Sequence, residues 1–573
     1  MTIFDRRSLL AAGGVAAFAP WLPLRAQSAA NVPTTLHGPD IALRIAHRMM
    51  TIDGRPRHAI GVNGQVPGPL IRLREGTTAR IAVTNALDED SSLHWHGLLV
   101  PSAMDGVPGL SFPGIAPGAT FTYEFPVRQA GTYWYHSHSG LQEQEGLYGP
   151  IVVDPAGADP VAADREHVIV LSDHSPLHPH AIFRKLKQVG GYFNLQHQTL
   201  AGQLAGRDQP AGERARWGAM RMDPTDVADV TGSTYTYLVN GHGPRDNWTA
   251  LFTAGQRVRL RIVNASAMTT FNVRIPGLKL TVVQADGQNV RPVSVAEFQI
   301  AVAETYDVIV EPADRAYTLV AESVDRSGLA CATLAPRLGM RAAVPALRAR
   351  PLATMQDMGM AGMGMAGMAG MDHAAMPGMD HGAAAGEPMR HAMRDFASAP
   401  DLPDTLTVQT IAPMPADRTG EPGQGLGGFA DVLTYRDLIA LERNPDVRAP
   451  SRSLRIHLTG NMERYMWAFD GVKLNAVKAP IPFTQGERVR VTLVNDTMMG
   501  HPIHLHGHFF ELVTSHGDHA PRKHTVNVQP GGTVTFDLTA DAPGDWAFHC
   551  HMLYHMHAGM MQVVTVRPAI APA

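Results

Sequence analysis

Near its C-terminus the chain reads HCHMLYHMHAGM, residues 549–560, with four histidines, three methionines and one of the two cysteines in the sequence. A thiol flanked by imidazoles is metal chemistry. Residues i and i+2 of a strand share a face, so His549 and His551 project one way and Cys550 the other. Two sites are therefore predicted, one on each face. On the Cys550 side, His555, Met560 and His501 are available. Two imidazoles, a thiolate and a weak thioether describe a blue-copper electron-transfer site. Zinc is the competing metal. It accepts His and Cys but does not usually recruit Met.

On the other side the sequence offers three more H-x-H pairs: His94/His96 in HWHG, His136/His138 in YHSH and His504/His506 in HPIHLHGH. One such pair alone reads as ordinary surface or core-edge histidine. Four pairs, two near each end of the chain, argue for a shared site between terminal domains. Eight imidazoles can surround a cluster of ions. An electron at Cys550 would reach that cluster across two residues of strand, on the order of 10 Å.

The elements that must position these residues read as short strands. TTARIAVTNAL (77–87), TFTYEFPV (120–127), QRVRLRIVNAS (256–266), RVRVTLVND (488–496) and GTVTFDLTA (532–540) alternate apolar and polar residues, as half-buried antiparallel strands do. Three stretches share a turn glycine, an alternating strand and an Asn: 74–87, 253–266 and 484–497. This repeat predicts an all-β chain of three β-sandwich units. The second interval is longer and holds an insertion, 355–393, with eleven methionines and His373, His381 and His391. It lacks the branched and aromatic residues of a packed core, so it is expected to be disordered without ligand. Thioethers suit Cu(I), which makes the insertion a copper collector; a plain linker is the competing reading. Met462, Met466, Met498 and Met499 are candidates for a second methionine cluster. The expected organisation is a leader over 1–30, sandwiches over 31–160, 161–345 and 401–573, and the flexible insert over 346–400.

The N-terminus, MTIFDRRSLLAAGGVAAFAPWLPLRAQSAA, has the form of a twin-arginine export signal, which points to the bacterial periplasm. An N-terminal anchor is the competing reading, but the apolar run is broken by Gly13, Gly14, Pro20 and Pro23. No other window approaches a membrane span. The formal charge of -4 over 573 residues, with no basic stretch, argues against a nucleic-acid partner. Cys331, in GLACATL, reads as a buried small hydrophobe and not as a disulfide partner for Cys550.

Four ordered segments, H-x-H-G at 94–97, H-x-H at 136–138, H-x-x-H-x-H at 501–506 and H-C-H-x3-H-x4-M at 549–560, resemble the multicopper oxidases. The resemblance covers nearly the whole mature chain. It implies three cupredoxin-like, Greek-key sandwiches and four coppers. The type 1 copper would take His501, Cys550 and His555 with Met560 axial. The type 2 copper would take His94 and His504. One type 3 copper would take His96, His136 and His551, the other His138, His506 and His549. Asp105, in SAMDGVPG, stands where the family has an acid that delivers protons; a turn-forming Asp is the competing reading. Some relatives carry a second acid where this chain has Met556, and Glu143 and Glu145 are lesser candidates for that role. Met552 and His557 have no evident role. The leader, the insert, KLKQVGGYFNLQHQT (185–199) and NMERYMWAFDGVKL (461–474) are similar to the periplasmic copper-resistance oxidases. The implied reaction oxidises Cu(I), and phenols or aromatic amines, with O2 as acceptor; copper-handling proteins of the periplasm are the expected partners. A general laccase and a non-catalytic copper-sequestering protein are the alternatives. A copper nitrite reductase is set aside, because that family lacks the eight-histidine set.

Overall fold

The three sequence repeats fold into three copies of one structural device. In this computed structural model residues 34–569 are described, apart from 220, 361–401, 403 and 404. The leader expected over 1–30 and most of the methionine-rich insert lie outside the described residues. The repeats form the strands Thr78–Asn85, Val258–Asn264 and Arg488–Asn495. Each ends on a fully buried Asn: Asn85, Asn264 and Asn495. In every copy the Asn side-chain oxygen accepts from the backbone N–H two residues on, at Leu87, Ser266 or Thr497. Its amide nitrogen donates to two backbone carbonyls, one nearby and one on a distant segment. A buried amide with its capacity met on three sides closes the strand end and fixes the turn after it.

Pairing around the repeats is also the same. Each repeat strand lies parallel to an earlier strand, Asp40–Ile52, Arg165–His174 or Arg452–Asn461, and antiparallel to a later one. Six sheets result, two per sandwich. The first sandwich has its own apolar core, built on Ile81, Trp95, Tyr123 and Ile151. The cores of the second and third are continuous, joining residues such as Val258, Phe298, Val491 and Phe536.

The half-buried alternation expected for 256–266 does not hold. Val258–Asn264 is buried along its whole length, because Arg259 and Arg261 turn inward onto Asp307 at 2.7 and 2.9 Å. Charged residues thus occupied the polar phase of the pattern while pairing inside the protein. Helix is sparse, as expected; Pro179–Gln188 and Ala211–Ala219 are the longest helices among the described residues. No helix there is long and apolar enough to cross a membrane. Cys331 and Cys550 are both buried and unbridged.

Candidate metal centres

Cross-strand register brings the histidines together. His94 lies opposite His136 in the first sandwich, and His504 opposite His549 in the third. Only His94–His96 lies wholly within a strand. The strands carrying His136, His504 and His549 end at His136, Leu505 and Cys550, so His138, His506 and His551 stand just past them. Alternation therefore aims one ring of each of these pairs and a turn aims the other. Gly97 and Gly507, at φ of +84° and +68°, make the turns directly after two of the pairs.

Ligand atoms within 4.8 Å of one another define His94, His96 and His504; His96, His136 and His551; and His138, His506 and His549 as groups. His501, Cys550 and His555 form a separate group by the same measure. All eight paired histidines, and the three His/Cys residues expected around the thiol, are thus brought together as the spacing predicted. Met560 is fully buried beside them. Its N–H donates to the His555 carbonyl, and its own carbonyl accepts from the Cys550 N–H, at 3.0 and 3.1 Å. The return from Cys550 to Met560 contains the short helix Leu553–Ala558.

Several of the rings are held by one nitrogen and left open at the other. His94 Nδ1 donates to the Asp105 carbonyl at 2.8 Å, His504 Nδ1 to the His524 carbonyl at 2.7 Å and His506 Nδ1 to Asp105 Oδ2 at 2.8 Å. His136 Nδ1 lies 2.7 Å from Glu143. Meanwhile Nε2 of His94, His136, His138 and His504, Nδ1 of His96 and both nitrogens of His551 are buried without a partner. Leaving so many polar atoms unpaired is costly unless something absent from the protein itself satisfies them. His506 Nε2 and His549 Nε2 face each other at 3.0 Å. Each ring already spends its proton on the far side, so two lone pairs point at one another. The same holds for His501 and His555, whose Nδ1 atoms are 3.2 Å apart and 3.6 and 3.8 Å from Cys550 Sγ. Lone pairs converge in this way only on a cation.

Electrostatics agrees. Burial, reinforced by neighbouring rings, holds His96, His136, His138, His504, His506 and His551 well below the ordinary imidazole range. Burial lowers His549 to about 4 and His555 to about 3. All are neutral ligands at neutral pH. Burial pushes the Cys550 thiol up, so it becomes a thiolate only when a cation takes the place of its proton. A soft thiolate with two imidazoles and a buried thioether fits copper better than zinc.

Residues far away in the sequence complete both groups. Asp105 is fully buried, 2.8 Å from His506 and 3.3 Å from His94. At the thiol, His555 Nε2 donates to Asp229 at 2.7 Å, and Tyr465 donates to the same oxygen at 2.7 Å. His501 Nε2 donates to Thr497 Oγ1, whose hydroxyl donates to Asn495, at 2.7 and 2.9 Å. Trp467 stacks on His555 at 3.9 Å. Asp229, Thr497, Glu143 as a ring partner and the ninth buried imidazole, His524, were not found by spacing. Only Trp467 and Tyr465 carried a signal, since they lie in the stretch 461–474.

A cavity of about 500 Å³ opens beside the thiol group, lined by Met222, Met462, Met498, His197, Asp223 and Asp226. Thr497 also borders it. The two stretches 185–199 and 461–474 form parts of its wall, through Gln188–Gly191, His197 and Met462. Met355, Met358 and Met360, the start of the methionine-rich insert, pack with Met222, Met462 and Met498 around Trp217. Of the four methionines expected to cluster, Met462 and Met498 do so, whereas Met499 joins the main core.

The multicopper oxidase family matches the chain over residues 44–158, 211–337 and 448–569. The chain is 49% identical to a copper resistance protein A homolog of Pseudomonas syringae pv. tomato, over 93% of each chain. It is 47% identical to copper resistance protein A of Escherichia coli, over 97% of this chain and 98% of the relative. Among solved structures, Fet3p, a multicopper oxidase that functions in iron import, superposes with a TM-score of 0.63 at 19% identity, covering 93% of this chain and 90% of its own. Enzymes of this family are oxidoreductases that use O2 and typically bind four coppers, a number that the histidine groups accommodate. On its three matched regions and its near-full-length likeness to copper resistance protein A, the chain belongs to the multicopper oxidase family.

Proposed function

We propose that this enzyme is a periplasmic cuprous oxidase of copper resistance, oxidising Cu(I) to Cu(II) and reducing O2 to water. The balance is four Cu(I), one O2 and four protons to four Cu(II) and two waters. In this reading His501, Cys550, His555 and Met560 hold the type 1 copper, and His94 and His504 the type 2 copper. His96, His136 and His551 hold one type 3 copper, and His138, His506 and His549 the other. Copper in these places supplies one-electron exchange at Cys550 and O2 reduction at the eight-histidine cluster. Cys550 links the two through the backbone to His549 and His551. Asp105 touches two rings of the cluster and is assigned proton delivery. Burial raises the Glu143 pKa well above the carboxylate range, and Glu143 is assigned as the second acid that Met556 does not provide. The sandwiches are assigned to 31–160, 161–345 and 401–573, with the insert over 346–400. Export by the twin-arginine route and donation from periplasmic copper-handling proteins complete the reading.

The observation that carries Cu(I) as substrate is the cavity. Three thioethers, an imidazole and three carboxylates line it, one of the carboxylates, Glu463, being paired with Arg221 at 2.7 Å, a soft and on balance anionic set suited to Cu(I). It adjoins both imidazoles of the thiol group, through Thr497 to His501 and through the 226–229 segment to His555. The similarity to copper resistance protein A supports a role in copper resistance. The test is the double substitution Met222→Leu and Met462→Leu, which keeps volume and removes two sulfurs. The KM for Cu(I) should rise about tenfold or more, a loss of about 1.4 kcal/mol in binding, while turnover of a phenol persists. An unchanged KM for Cu(I) would favour a general laccase. Full copper tolerance in cells carrying Cys550→Ser would favour sequestration without turnover.

A further inference from the structure

Among the rings of the eight-histidine cluster, His96 is the exception in orientation. It leaves Nδ1 without a partner, whereas His94, His136, His138 and His504 leave Nε2. Its Nε2 sits 3.2 Å from Thr525 Oγ1. The same hydroxyl lies 3.0 Å from His524 Nδ1 and 3.2 Å from His504 Nδ1. A threonine hydroxyl has one proton and two lone pairs. His504 Nδ1 already donates to the His524 carbonyl at 2.7 Å. With the unpartnered Nδ1 of His96 as its ligand atom, His96 Nε2–H donates to Thr525 and the Thr525 hydroxyl donates to His524 Nδ1, while His524 Nε2 stays without a partner. His96 then has its lone pair on Nδ1, facing the cluster.

Thr525 is itself clamped by the second sandwich. Asp286 Oδ2 accepts from the backbone N–H of His524 and Thr525 at 3.3 and 3.2 Å. It also meets Lys523 Nζ at 3.0 Å, and Glu304 meets the same ammonium at 3.1 Å. Lys523, Asp286 and Glu304 are all at most 1% exposed. Tyr435 donates to Glu304 at 2.7 Å and Thr305 N–H to Asp286 at 3.0 Å, so each carboxylate has a second anchor. Buried ion clusters are a poor way to gain stability, and an apolar plug of equal volume would serve as well. This one grips the two backbone N–H groups on either side of the His524 Cα, the second of them that of Thr525. The His524 ring, edge-on to His96 at 4.8 Å, fits only because residue 97 is glycine: a Cβ there would lie 2.6 Å from His524 Nε2.

We infer that Thr525, held in place by the Asp286–Lys523–Glu304 cluster, is a positioning residue that sets the tautomer of His96 and steadies His504. All three sandwiches then meet at one residue, the first and third at its hydroxyl and the second at its backbone N–H. The inference rests on the reading that these rings hold copper. The test uses the full-length, copper-loaded enzyme with Thr525→Val, which keeps shape and removes the hydroxyl, and Thr525→Ser, which restores it. Thr525→Val should hold cluster copper about 10- to 100-fold less tightly against a chelator. It should also alter the paramagnetic resonance of the mononuclear cluster copper and leave the thiolate-to-copper visible band intact. Thr525→Ser should recover both properties. Asp286→Asn should show the same resonance change. Copper retention and resonance like wild type in Thr525→Val would overturn the inference and leave the four-copper reading standing. Joint loss of the visible band and thermal stability would overturn it too, as a general packing defect. A wild-type enzyme with no copper signal at all would take down the reading and the inference together.

Discussion

The eight-histidine cluster and the Cys550 group are neighbours whose rings are held in different ways. The cluster draws rings from the first and third sandwiches, and backbone carbonyls hold several of them, those of Asp105 for His94, His524 for His504 and Cys550 for His549. Such partners cannot change protonation or rotate away. The Cys550 group draws its ligands from the third sandwich alone, and side chains hold its rings: Thr497 and, from the second sandwich, Asp229. A side-chain shell can be tuned and can communicate with a cavity, and this one borders a space of about 500 Å³. The contrast is one of degree, since side chains also hold cluster rings, Asp105 for His506 and Glu143 for His136, but both rings of the Cys550 group depend on side chains.

Cys550→Ser is the sharpest way to break the contrast, since that one residue serves both sides. The visible band should vanish and oxidase turnover fall to background, while chelator-resistant copper at the cluster persists; absorption spectra with copper assay report both. Next come paired outer partners. Asp105→Asn should weaken cluster copper about 10- to 100-fold without shifting the visible band. Asp229→Asn should shift that band and its redox potential while cluster copper stays bound. Identical consequences for the two substitutions would erase the distinction.

A smaller effect is pH dependence at the cavity. Burial, with Asp229 and Asp223 nearby, raises Asp226 to about 7. A carboxyl is neutral below its pKa and anionic above it, so Cu(I) affinity should rise as pH increases through about 7 and flatten in Asp226→Asn. The same shift sets a stability slope. The folded state binds the proton more tightly than the unfolded chain, so this contribution is fully present below about 4 and is lost as pH rises through about 7. Metal-free Asp226→Asn should therefore be less sensitive to that rise, as urea unfolding at several pH values would read. The smallest effect belongs to Trp467→Leu. It removes the stack on His555, worth about 0.5–1.5 kcal/mol, and should lower the melting temperature by a few degrees with only a slight change of the visible band.

What the sequence made legible followed from strand chemistry. H-x-H pairs, the thiol between two imidazoles and the repeated glycine–strand–Asn plan all express a period of two or an obligatory turn, and the structure assembles them accordingly. What stayed hidden was contact across sequence distance. Asp229 reaches His555 over 326 residues and Asp286 reaches Thr525 over 239, and no local pattern encodes such meetings. His524 was invisible for another reason: it belongs to no H-x-H pair, although it lies within the wall of the cluster. The inward turn of Arg259 and Arg261 was misread because charge on a strand usually means solvent, and here it means paired burial.

The Asn clasp repeated at Asn85, Asn264 and Asn495 has a consequence for how the enzyme is equipped. The middle sandwich has the clasp yet, among the described residues, contributes to none of the histidine or histidine–cysteine groups. Its closure thus owes nothing to metal, and by likeness neither does that of its two neighbours. The scaffold is a colourless shell that can be emptied and refilled: dialysis against a chelator should leave the sheets intact, and adding copper back should return colour without refolding.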